Sequence, residues 1–289
     1  MNITKPFLLA LFLLNTAIGF AQQVAIKTAT GEGIPYATIT FLKQDSIVGG
    51  MYANEKGLAM IAPDMDIDVL LISHLGFGTQ KVTWEHSNID VVLEELLNDL
   101  PEVVITQRKE EAVWMGHEFV RKRSAFCSAQ RGMEIVTFVQ NNKQLSNLEM
   151  TAFKFKVRRR SEDKTAVLKI NFYTNESNTP GKRINAYQDI TVALAKGERG
   201  DVVLDLKTYH MIFPEEGVFV GIEWMGFADD EGTLLQNNTY NDSSIAYSAC
   251  STEQLTFMRS AFGTDKWSRM TFWDGRKDTF VPAFSIEVK

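Results

Sequence analysis

The sequence predicts an all-β protein that consists of two antiparallel β-sandwich domains behind a signal peptide. Three observations lead to this prediction. Apolar and polar residues alternate with a period of two in many short segments, which is the pattern of strands with one buried face. Turns that contain Gly, Pro, Asn or Asp separate these segments. No segment sustains the 3.6-residue apolar period of an amphipathic helix, so few helices are expected.

Length and composition indicate the domain organisation. The 289 residues, 45% of them hydrophobic, are enough for two domains with cores of their own. A formal net charge of −6 argues against a nucleic-acid surface. We assign residues 1–21 to the signal peptide, 22–94 to the first sandwich, 95–131 to a linker with a short strand, and 132–289 to the second sandwich.

The first 21 residues have the parts of a secretory signal peptide. Lys5 supplies the positive charge, residues 7–20 form the apolar region, and residues 19–21 form a small-x-small cleavage site. An apolar region of about fourteen residues is short for a transmembrane helix, although an uncleaved anchor is the alternative. No Cys follows this region, so lipid attachment there is excluded. We expect a mature chain that begins near Gln22, has no transmembrane segment, and is exported to the periplasm or the outer membrane.

Two segments, residues 33–41 and 69–77, organise the first domain. The first alternates apolar and polar side chains and predicts a strand with one buried face. The second is apolar on both faces and predicts a central strand. Between them, residues 54–57 predict a hairpin turn in which Gly57 takes positive φ. Further short strands are expected at the positions 81–84 and 88–94.

Four motifs in this part of the chain carry a family resemblance. They are the Gly-Ile-Pro-Tyr-Ala-Thr strand at 33–38, the Asn-Glu-Lys-Gly turn at 54–57, the strand at 70–77 with Ser73, Gly76 and Phe77, and the Leu-Pro-Glu-Val-Val-Ile segment at 100–105. In this order they resemble the carboxypeptidase regulatory-like domain, a transthyretin-like or immunoglobulin-like sandwich. That domain precedes SusC-type TonB-dependent transporters and occurs in other envelope proteins of the same bacteria. The resemblance covers about residues 23–106 and implies a non-catalytic module.

The chain departs from the transporters after Ile105, because no plug domain follows and the remaining length is too short for a many-stranded membrane barrel. Residues 102–106 have the composition of a strand that can pair with the edge of another sheet. Pairing within their own domain is the alternative, because sequential segments are usually neighbours in space.

The second domain has strand-like alternation from Met133 onward. About nine or ten strands over about 155 residues predict a jelly-roll-like sandwich. The order of its features is similar to an uncharacterised C-terminal domain that accompanies the first module, and this similarity implies no activity. The segments are 153–158, 168–172, 190–194, 202–206, 218–224, 244–250, 268–273 and 280–288, with turns at 178–181 and 214–217.

Motifs of the common hydrolases are absent from the sequence. None of the four histidines (His74, His86, His117 and His210) has Glu three residues later, and His-Glu-x-x-His does not occur, so a zinc carboxypeptidase site is excluded. There is no Gly-x-Ser-x-Gly elbow and no phosphate-binding glycine loop. We therefore expect a protein that is not an enzyme and uses no cofactor, in which His74 caps or packs.

Two acidic clusters are candidate calcium sites. They are the alternating Asp64, Asp66 and Asp68, and the run 229–231. Neither has the spacing of an EF-hand, and Ca²⁺ requires six to eight oxygens from converging loops. Solvated turns are the favoured interpretation, so no metal site is expected.

Cys127 and Cys250 are the two cysteines of the chain. In an oxidising compartment they form a possible disulfide, which would stabilise the fold by about 4–5 kcal/mol in the chain-entropy model. Two buried free thiols are the alternative.

The most basic stretch, residues 154–160, is followed at once by Glu162 and Asp163. Lys154, Lys156 and Arg158 alternate with apolar residues, so they fit the solvated face of a strand. This placement, the expected export and the net negative charge of the chain together argue against a nucleic-acid partner.

The late aromatic residues offer a candidate ligand site. Trp267 and Trp273, with Tyr240 and Asn238 from a polar loop, could stack and hydrogen-bond a sugar. Trp224 continues an apolar strand face and is expected in the core, and core packing is the alternative for the whole set.

Taken together, the sequence predicts a non-enzymatic, exported binding or accessory module of the bacterial cell envelope that interacts with an envelope or outer-membrane protein. The alternative is a carbohydrate-binding module with a glycan as its ligand. A hydrolase built from scattered residues without a motif is the third hypothesis.

Overall fold

The computed structural model describes residues 21–96, 111–142, 147–159, 164–185, 188–235, 244–250, 254–263, 266–270, 272–273 and 279–289. Within these ranges the secondary structure is strand, with two short 3₁₀ turns at Arg121–Arg123 and Lys207–Tyr209 and no α-helix. The predicted all-β class is therefore confirmed. The expected signal peptide and the segment 102–106 lie outside the described residues, as do Asn238 and Tyr240.

The first sandwich consists of two small sheets. Its strands are β1 (Gln22–Lys27), β2 (Thr38–Lys43), β3 (Ser46–Tyr52), β4 (Leu58–Ile61), β5 (Val69–Ser73), β6 (Gln80–Thr83) and β7 (Ile89–Val92). They form one sheet in the order β4-β1-β7 and another in the order β3-β2-β5-β6. The alternating residues Ile39 and Phe41 of β2 are in register with Ile72 and Leu70 of the neighbouring strand β5, and all four lie in the enclosed core. β1 pairs in parallel with β7, so the prediction of purely antiparallel sheets is wrong at this pair.

A turn forms at 54–57 as predicted, but it is not a hairpin, because the strands on either side of it, β3 and β4, belong to different sheets. Asn54 Oδ1 accepts hydrogen bonds from the backbone N–H groups of Lys56 (2.9 Å) and Leu58 (3.0 Å). Gly57 has φ +72°, and a Cβ on it would lie 2.4 Å from the carbonyl oxygen of Ile26. Only glycine fits this position without a shift of the backbone.

The second sandwich is larger. Its strands are β8 (Val113–Gly116), β9 (Ser124–Cys127), β10 (Met133–Val139), β11 (Leu148–Arg158), β12 (Thr165–Glu176), β13 (Thr179–Arg183), β14 (Ile190–Leu194), β15 (Arg199–Asp205), β16 (Ile212–Phe213), β17 (Val218–Ala228), β18 (Ser244–Cys250), β19 (Thr256–Ser260), β20 (Ser268–Arg269), β21 (Phe272–Trp273), β22 (Thr279–Pro282) and β23 (Ser285–Val288).

These strands form two antiparallel sheets that enclose an apolar core. The seven-stranded sheet has the order β13-β12-β17-β10-β19-β20, with β14 also on β12. The nine-stranded sheet has the order β21-β22-β18-β11-β23-β8, with β15 and β16 on β11 and β9 on β18. Phe153 and Phe155 from one sheet pack with Phe172 and Trp224 from the other, and Trp224 is fully buried as predicted.

The structure differs from the predicted linker at 95–131. Its described part contributes β8 and β9, which pair with β23 and β18 of the nine-stranded sheet. Each strand has four residues, so the period-two signal in the sequence is too short to separate from a loop.

The two sandwiches contact each other through one apolar cluster. Tyr52 of β3 packs on Phe262 with ring centroids 5.0 Å apart, and Met225 of β17 lies in the same cluster. Arg131 Nη2 donates to the carbonyl of Gly50 (3.1 Å) across the junction. In the part of the chain that the structure describes, no helix is both long and apolar enough to cross a membrane.

Candidate functional site

A network of charged side chains covers the outer face of the seven-stranded sheet, where it meets the first sandwich. Side chains alternate between the two faces of a strand, so each strand that lines the core presents every second residue to this outer face. Glu134 of β10 is in register with Glu223 of β17 on one side and with Arg259 of β19 on the other. Neighbouring strands lie about 4.8 Å apart, which brings these groups into contact.

Glu134 is the centre of this network. It is fully buried and accepts hydrogen bonds from Arg259 Nε (2.8 Å), Asn171 Nδ2 (2.7 Å) and Tyr173 Oη (2.8 Å). Burial alone would raise the pKa of Glu134, but the charges of Arg259 and Arg183 outweigh it and hold that pKa below its usual value. The buried carboxylate is therefore ionised, and donors surround it.

Glu223 connects the network to the first sandwich. Its Oε1 accepts a hydrogen bond from Tyr52 Oη (2.5 Å), and its Oε2 accepts one from Asn171 Nδ2 (3.1 Å). Burial, followed by the charge of Glu223, raises the pKa of Tyr52 well above its ordinary value. The phenol therefore stays protonated and donates.

A second ionic contact between the sandwiches lies beside a cavity of about 260 Å³. Asp189 lies 3.0 Å from His74 Nε2 and 3.0 Å from Lys169 Nζ. Burial opposes ionisation of Asp189, but Lys169 and then His74 lower its pKa to about 2.

His74 is fully engaged by this contact. Its Nδ1 faces the carbonyl oxygen of Leu75 (2.8 Å), while its Nε2 faces the Asp189 carboxylate (3.0 Å). Both ring nitrogens of His74 therefore lie against oxygen atoms of the protein.

An open cavity of about 460 Å³ lies at the edge of the buried network. Trp267 forms part of its wall, with the Arg259 guanidinium carbon 4.4 Å from the centroid of the indole ring. The indole stands edge-on to Tyr173, with ring centroids 5.3 Å apart. The lining residues are Tyr173, Glu176, Pro180, Gly181, Lys182, Arg183, Arg259 and Trp267.

Arg183 is the cation with the most unused hydrogen-bonding capacity in this cavity. Among the described residues its guanidinium makes one hydrogen bond, from Nη2 to Tyr173 Oη (3.0 Å), and it contacts no carboxylate within ion-pair distance. Burial would lower its pKa, but Tyr173, Glu134 and Glu223 outweigh this effect and raise the pKa, so Arg183 stays charged. A guanidinium has five N–H donors in a planar fork that matches a carboxylate. The remaining donors of Arg183 are available to an acidic group in the cavity.

Of the residues predicted for a sugar site, Trp267 lies in this cavity. Trp273 belongs to the short strand β21, and its side chain lies outside the description, while Asn238 and Tyr240 fall in residues that the structure does not describe. The partners that the structure places around Trp267 are instead Arg183, Arg259 and Tyr173.

The sequence analysis missed the charged network. Glu134 and Asn171 sit at alternate positions of strands, where polar residues usually face water, and nothing in the pattern shows that another domain covers them. A weak signal was present in β17, where Glu223 interrupts a strand whose eleven residues are all buried. An acidic residue in so apolar a strand requires a partner.

The predicted disulfide is not formed. Cys127 has a free thiol, and it stands opposite Ile245 on β18, five residues from Cys250 along that strand. Five residues of strand span about 16 Å, whereas bridged Cα atoms lie within about 7 Å. Burial raises the pKa of the Cys127 thiol.

The acidic clusters make protein contacts. Asp66 and Asp68 accept hydrogen bonds from Lys43 Nζ (2.6 and 2.9 Å), and Asp229 Oδ1 accepts from the backbone of Glu231 (3.0 Å) and Thr233 (2.8 Å). Over the described ranges, no group of three or more His, Cys, Asp or Glu side chains is arranged to hold a metal ion.

The fold and the site thus define an all-β protein of two sandwiches that are joined by a buried ionic network with an open cavity at its edge. No family model and no curated protein matches the chain. One solved structure with detectable similarity holds the cysteine protease and lectin-like domains of Cwp84, a surface layer associated protein of Clostridium difficile. It has 8% identity and a TM-score of 0.40 over 88% of this chain and 58% of that chain.

Two other structures are more distant. A Streptococcal ancillary pilin has 9% identity and a TM-score of 0.24, over 78% of this chain and 63% of that one. The infectious bursal disease virus Gx strain structure has 9% identity and a TM-score of 0.23, over 92% of this chain and 62% of that one. This chain spans less than two thirds of each of the three. Similarities this remote define neither a family nor an activity.

Proposed function

We propose that this protein is a non-enzymatic, exported binding module of the bacterial cell envelope that holds an acidic saccharide in the Trp267 cavity. The observation that carries the proposal is the meeting of an indole ring and two guanidinium groups in one open cavity. The apolar face of a pyranose ring stacks on an aromatic side chain, and a carboxylate pairs with an arginine fork. Arg183, which has one hydrogen bond in the described structure, supplies the donors.

The chemistry of the cavity supports binding rather than hydrolysis. Glu176 is the one carboxylate among the described residues that line it, whereas glycoside hydrolysis normally uses a pair. Glu134 is close by, but it is fully buried and already accepts three hydrogen bonds from protein groups. Both ring nitrogens of His74 are already in contact with protein oxygen atoms.

The envelope location rests on the sequence. Residues 1–21 have a signal-peptide pattern, and the motifs between 33 and 105 resemble the carboxypeptidase regulatory-like module. We propose that the first sandwich is such a module and that the second sandwich provides the ligand site.

The test compares short galacturonic acid oligomers with the matched galactose oligomers, which have a hydroxymethyl group in place of each carboxylate. Isothermal titration calorimetry should detect the acidic series and not the neutral one. Trp267→Ala and Arg183→Gln should each weaken binding about tenfold, which corresponds to about 1.4 kcal/mol. Trp114→Ala removes an exposed indole on the other sheet and is the matched control. Equal binding of both series, or an equal loss in the control, would contradict the proposal.

A protein partner is the second candidate function, and β3 favours it because this strand is at the edge of its sheet among the described strands. Ile47 and Val48 are exposed on this edge strand, while Gly50, further along it, is covered by Phe262 and Arg131. An exposed apolar strand edge can accept a strand from another protein. A photo-crosslinking residue at Ile47 should capture an outer-membrane protein in intact cells, and the same residue at the exposed, polar Lys56 should not. Equal capture at both positions would remove this candidate.

A further inference from the structure

The nine-stranded sheet carries a row of cations on its outer face. The Trp267 cavity, in contrast, belongs to the seven-stranded sheet. Lys154, Lys156 and Arg158 occupy alternate positions of β11 and therefore point to the same side. The sequence alone indicated a solvated face, and Arg158 is indeed exposed, but the two lysines are half-buried. Something therefore covers part of this row.

Aromatic rings from one segment, residues 114–126, cover these cations. Lys154 Nζ lies 4.4 Å from the centroid of Trp114, and Lys156 Nζ lies 5.1 Å from that of Phe119. The guanidinium carbon of Arg158 lies 4.3 Å from the centroid of Phe126. Cation–aromatic contact at this range holds the cations extended along the sheet without neutralising them.

The row keeps most of its positive charge. Lys156 pairs with Asp201 (2.6 Å), but no ion pair joins Lys154 or Arg158 to a carboxylate within the described residues. Arg199 stands opposite Arg158 on β15, and Arg121 and Lys122 are exposed just before β9. Asp205 and Glu287 also point outward, both beside Ala152 at the other end of the row, so the basic character of this face is concentrated around Arg158.

Exposed apolar side chains border the same row. Trp114 is 38% exposed, Val120 is 50% exposed and Val203 is 56% exposed. Val203 is the cross-strand partner of Lys154, which itself contacts Trp114, so apolar and cationic groups are interleaved. A soluble polyanion would pair with the cations and leave these apolar groups in water.

We propose that this face docks on the anionic surface of a lipid membrane. Basic side chains bind acidic headgroups, while Trp and aliphatic side chains enter the interfacial layer, and a surface needs both features to prefer a membrane over a dissolved polyanion. The chain would lie on the bilayer through the nine-stranded sheet. This inference does not depend on the ligand proposed for the Trp267 cavity, which belongs to the other sheet.

The test is cosedimentation of the chain from Gln22, which keeps every described strand, with vesicles. Vesicles of phosphatidylcholine with about a third phosphatidylglycerol should retain the protein at low salt, and pure phosphatidylcholine vesicles should not. High salt should release it, because screening weakens contacts between exposed charges. Absence of binding above the pure phosphatidylcholine level would overturn the proposal without any variant.

Variants separate the two parts of the surface. Lys154→Gln with Arg158→Gln should weaken binding about tenfold or more. Lys56→Gln with Lys81→Gln, the same change of charge on the first sandwich, should have no such effect. Val203→Ser should weaken vesicle binding while leaving binding to heparin, a soluble polyanion, unchanged. Equal losses in both charge pairs, or an unaltered Val203→Ser variant, would overturn the proposal, and thermal unfolding of each variant verifies that it is folded.

Discussion

Tyr52 donates its phenolic hydrogen to Oε1 of Glu223 at 2.5 Å, and the two residues are 171 positions apart in the chain. One belongs to the first sandwich and the other to the second, so this single bond ties the domain junction to the buried network of Glu134 and Asn171. The junction and the edge of the Trp267 cavity are therefore parts of one hydrogen-bonded system.

Tyr52→Phe should destabilise the protein by about 1–3 kcal/mol, because it leaves a buried carboxylate oxygen without that donor. Urea unfolding followed by tryptophan fluorescence measures the change. Tyr36→Phe is the control, since the Tyr36 hydroxyl donates to Glu55 at the surface (3.1 Å). Equal effects of the two substitutions would show that the junction does not depend on the bond to Glu223.

Glu134→Gln should lower the free energy of unfolding by about 3–5 kcal/mol, the usual range for breaking a buried ion pair. The amide leaves Arg259 without its carboxylate and brings an NH₂ group into a ring of donors. Glu149→Gln is the matched change at a carboxylate that pairs with the exposed His210. Denaturant unfolding of both variants provides the comparison. A loss below about 1 kcal/mol at Glu134 would contradict the role given to its charge.

The carboxylate of Asp189 should make the free energy of unfolding depend on pH in the acid range. Its pKa is lowered from 3.8 to about 2 in the folded protein, so the unfolded chain takes up a proton first as pH falls. The contribution, about 2 kcal/mol, is complete above pH 4 and is lost between pH 4 and pH 2. Asp189→Asn should therefore lower stability at pH 6 and flatten the acid side of the profile. Asp45→Asn, at an exposed carboxylate, should leave the profile as it is.

Gly57→Ala should destabilise the first sandwich more than Gly31→Ala does. Both glycines have positive φ, +72° and +90°, so both substitutions carry the backbone cost of about 1 kcal/mol. An added Cβ at Gly57 would meet the Ile26 carbonyl oxygen at 2.4 Å, whereas nothing lies within 4 Å of one at Gly31. Thermal unfolding of the pair isolates the steric part. Equal melting temperatures would mean that the turn relaxes to accept a methyl group.

Local pattern was sufficient to predict many of the strands. The alternation in β2 and β12 and the turn at Gly57 follow from side-chain direction and backbone sterics, which act within a few residues. The four-residue strands β8 and β9 were missed because too few residues carry their pattern. The parallel pair of β1 and β7 depends on contacts between residues 24–27 and 89–92, which no short window contains.

The site was harder to predict than the fold. Trp267 was singled out because a Trp near a strand end or loop can stack on a sugar ring, and this role remains a prediction. Arg259, which contacts Trp267, donates a hydrogen bond to Glu134, and the two residues are 125 positions apart in the chain. Tyr173 also donates to Glu134, from which it is separated by 39 positions. Such a cluster depends on which strands become neighbours, and on the first sandwich covering the sheet. Polar residues at outward positions look solvated until that covering is known.

The position of β23 has a consequence for biogenesis. This strand, Ser285–Val288, lies between β8 and β11 in the nine-stranded sheet, and its partners precede it by more than a hundred residues. A chain that emerges from its amino end leaves that gap open until residues 285–288 arrive. Until then, the strand edges of β8 and β11 that β23 covers are unpaired. A premature stop codon that removes residues 285–289 should therefore yield a product that quality-control proteases destroy.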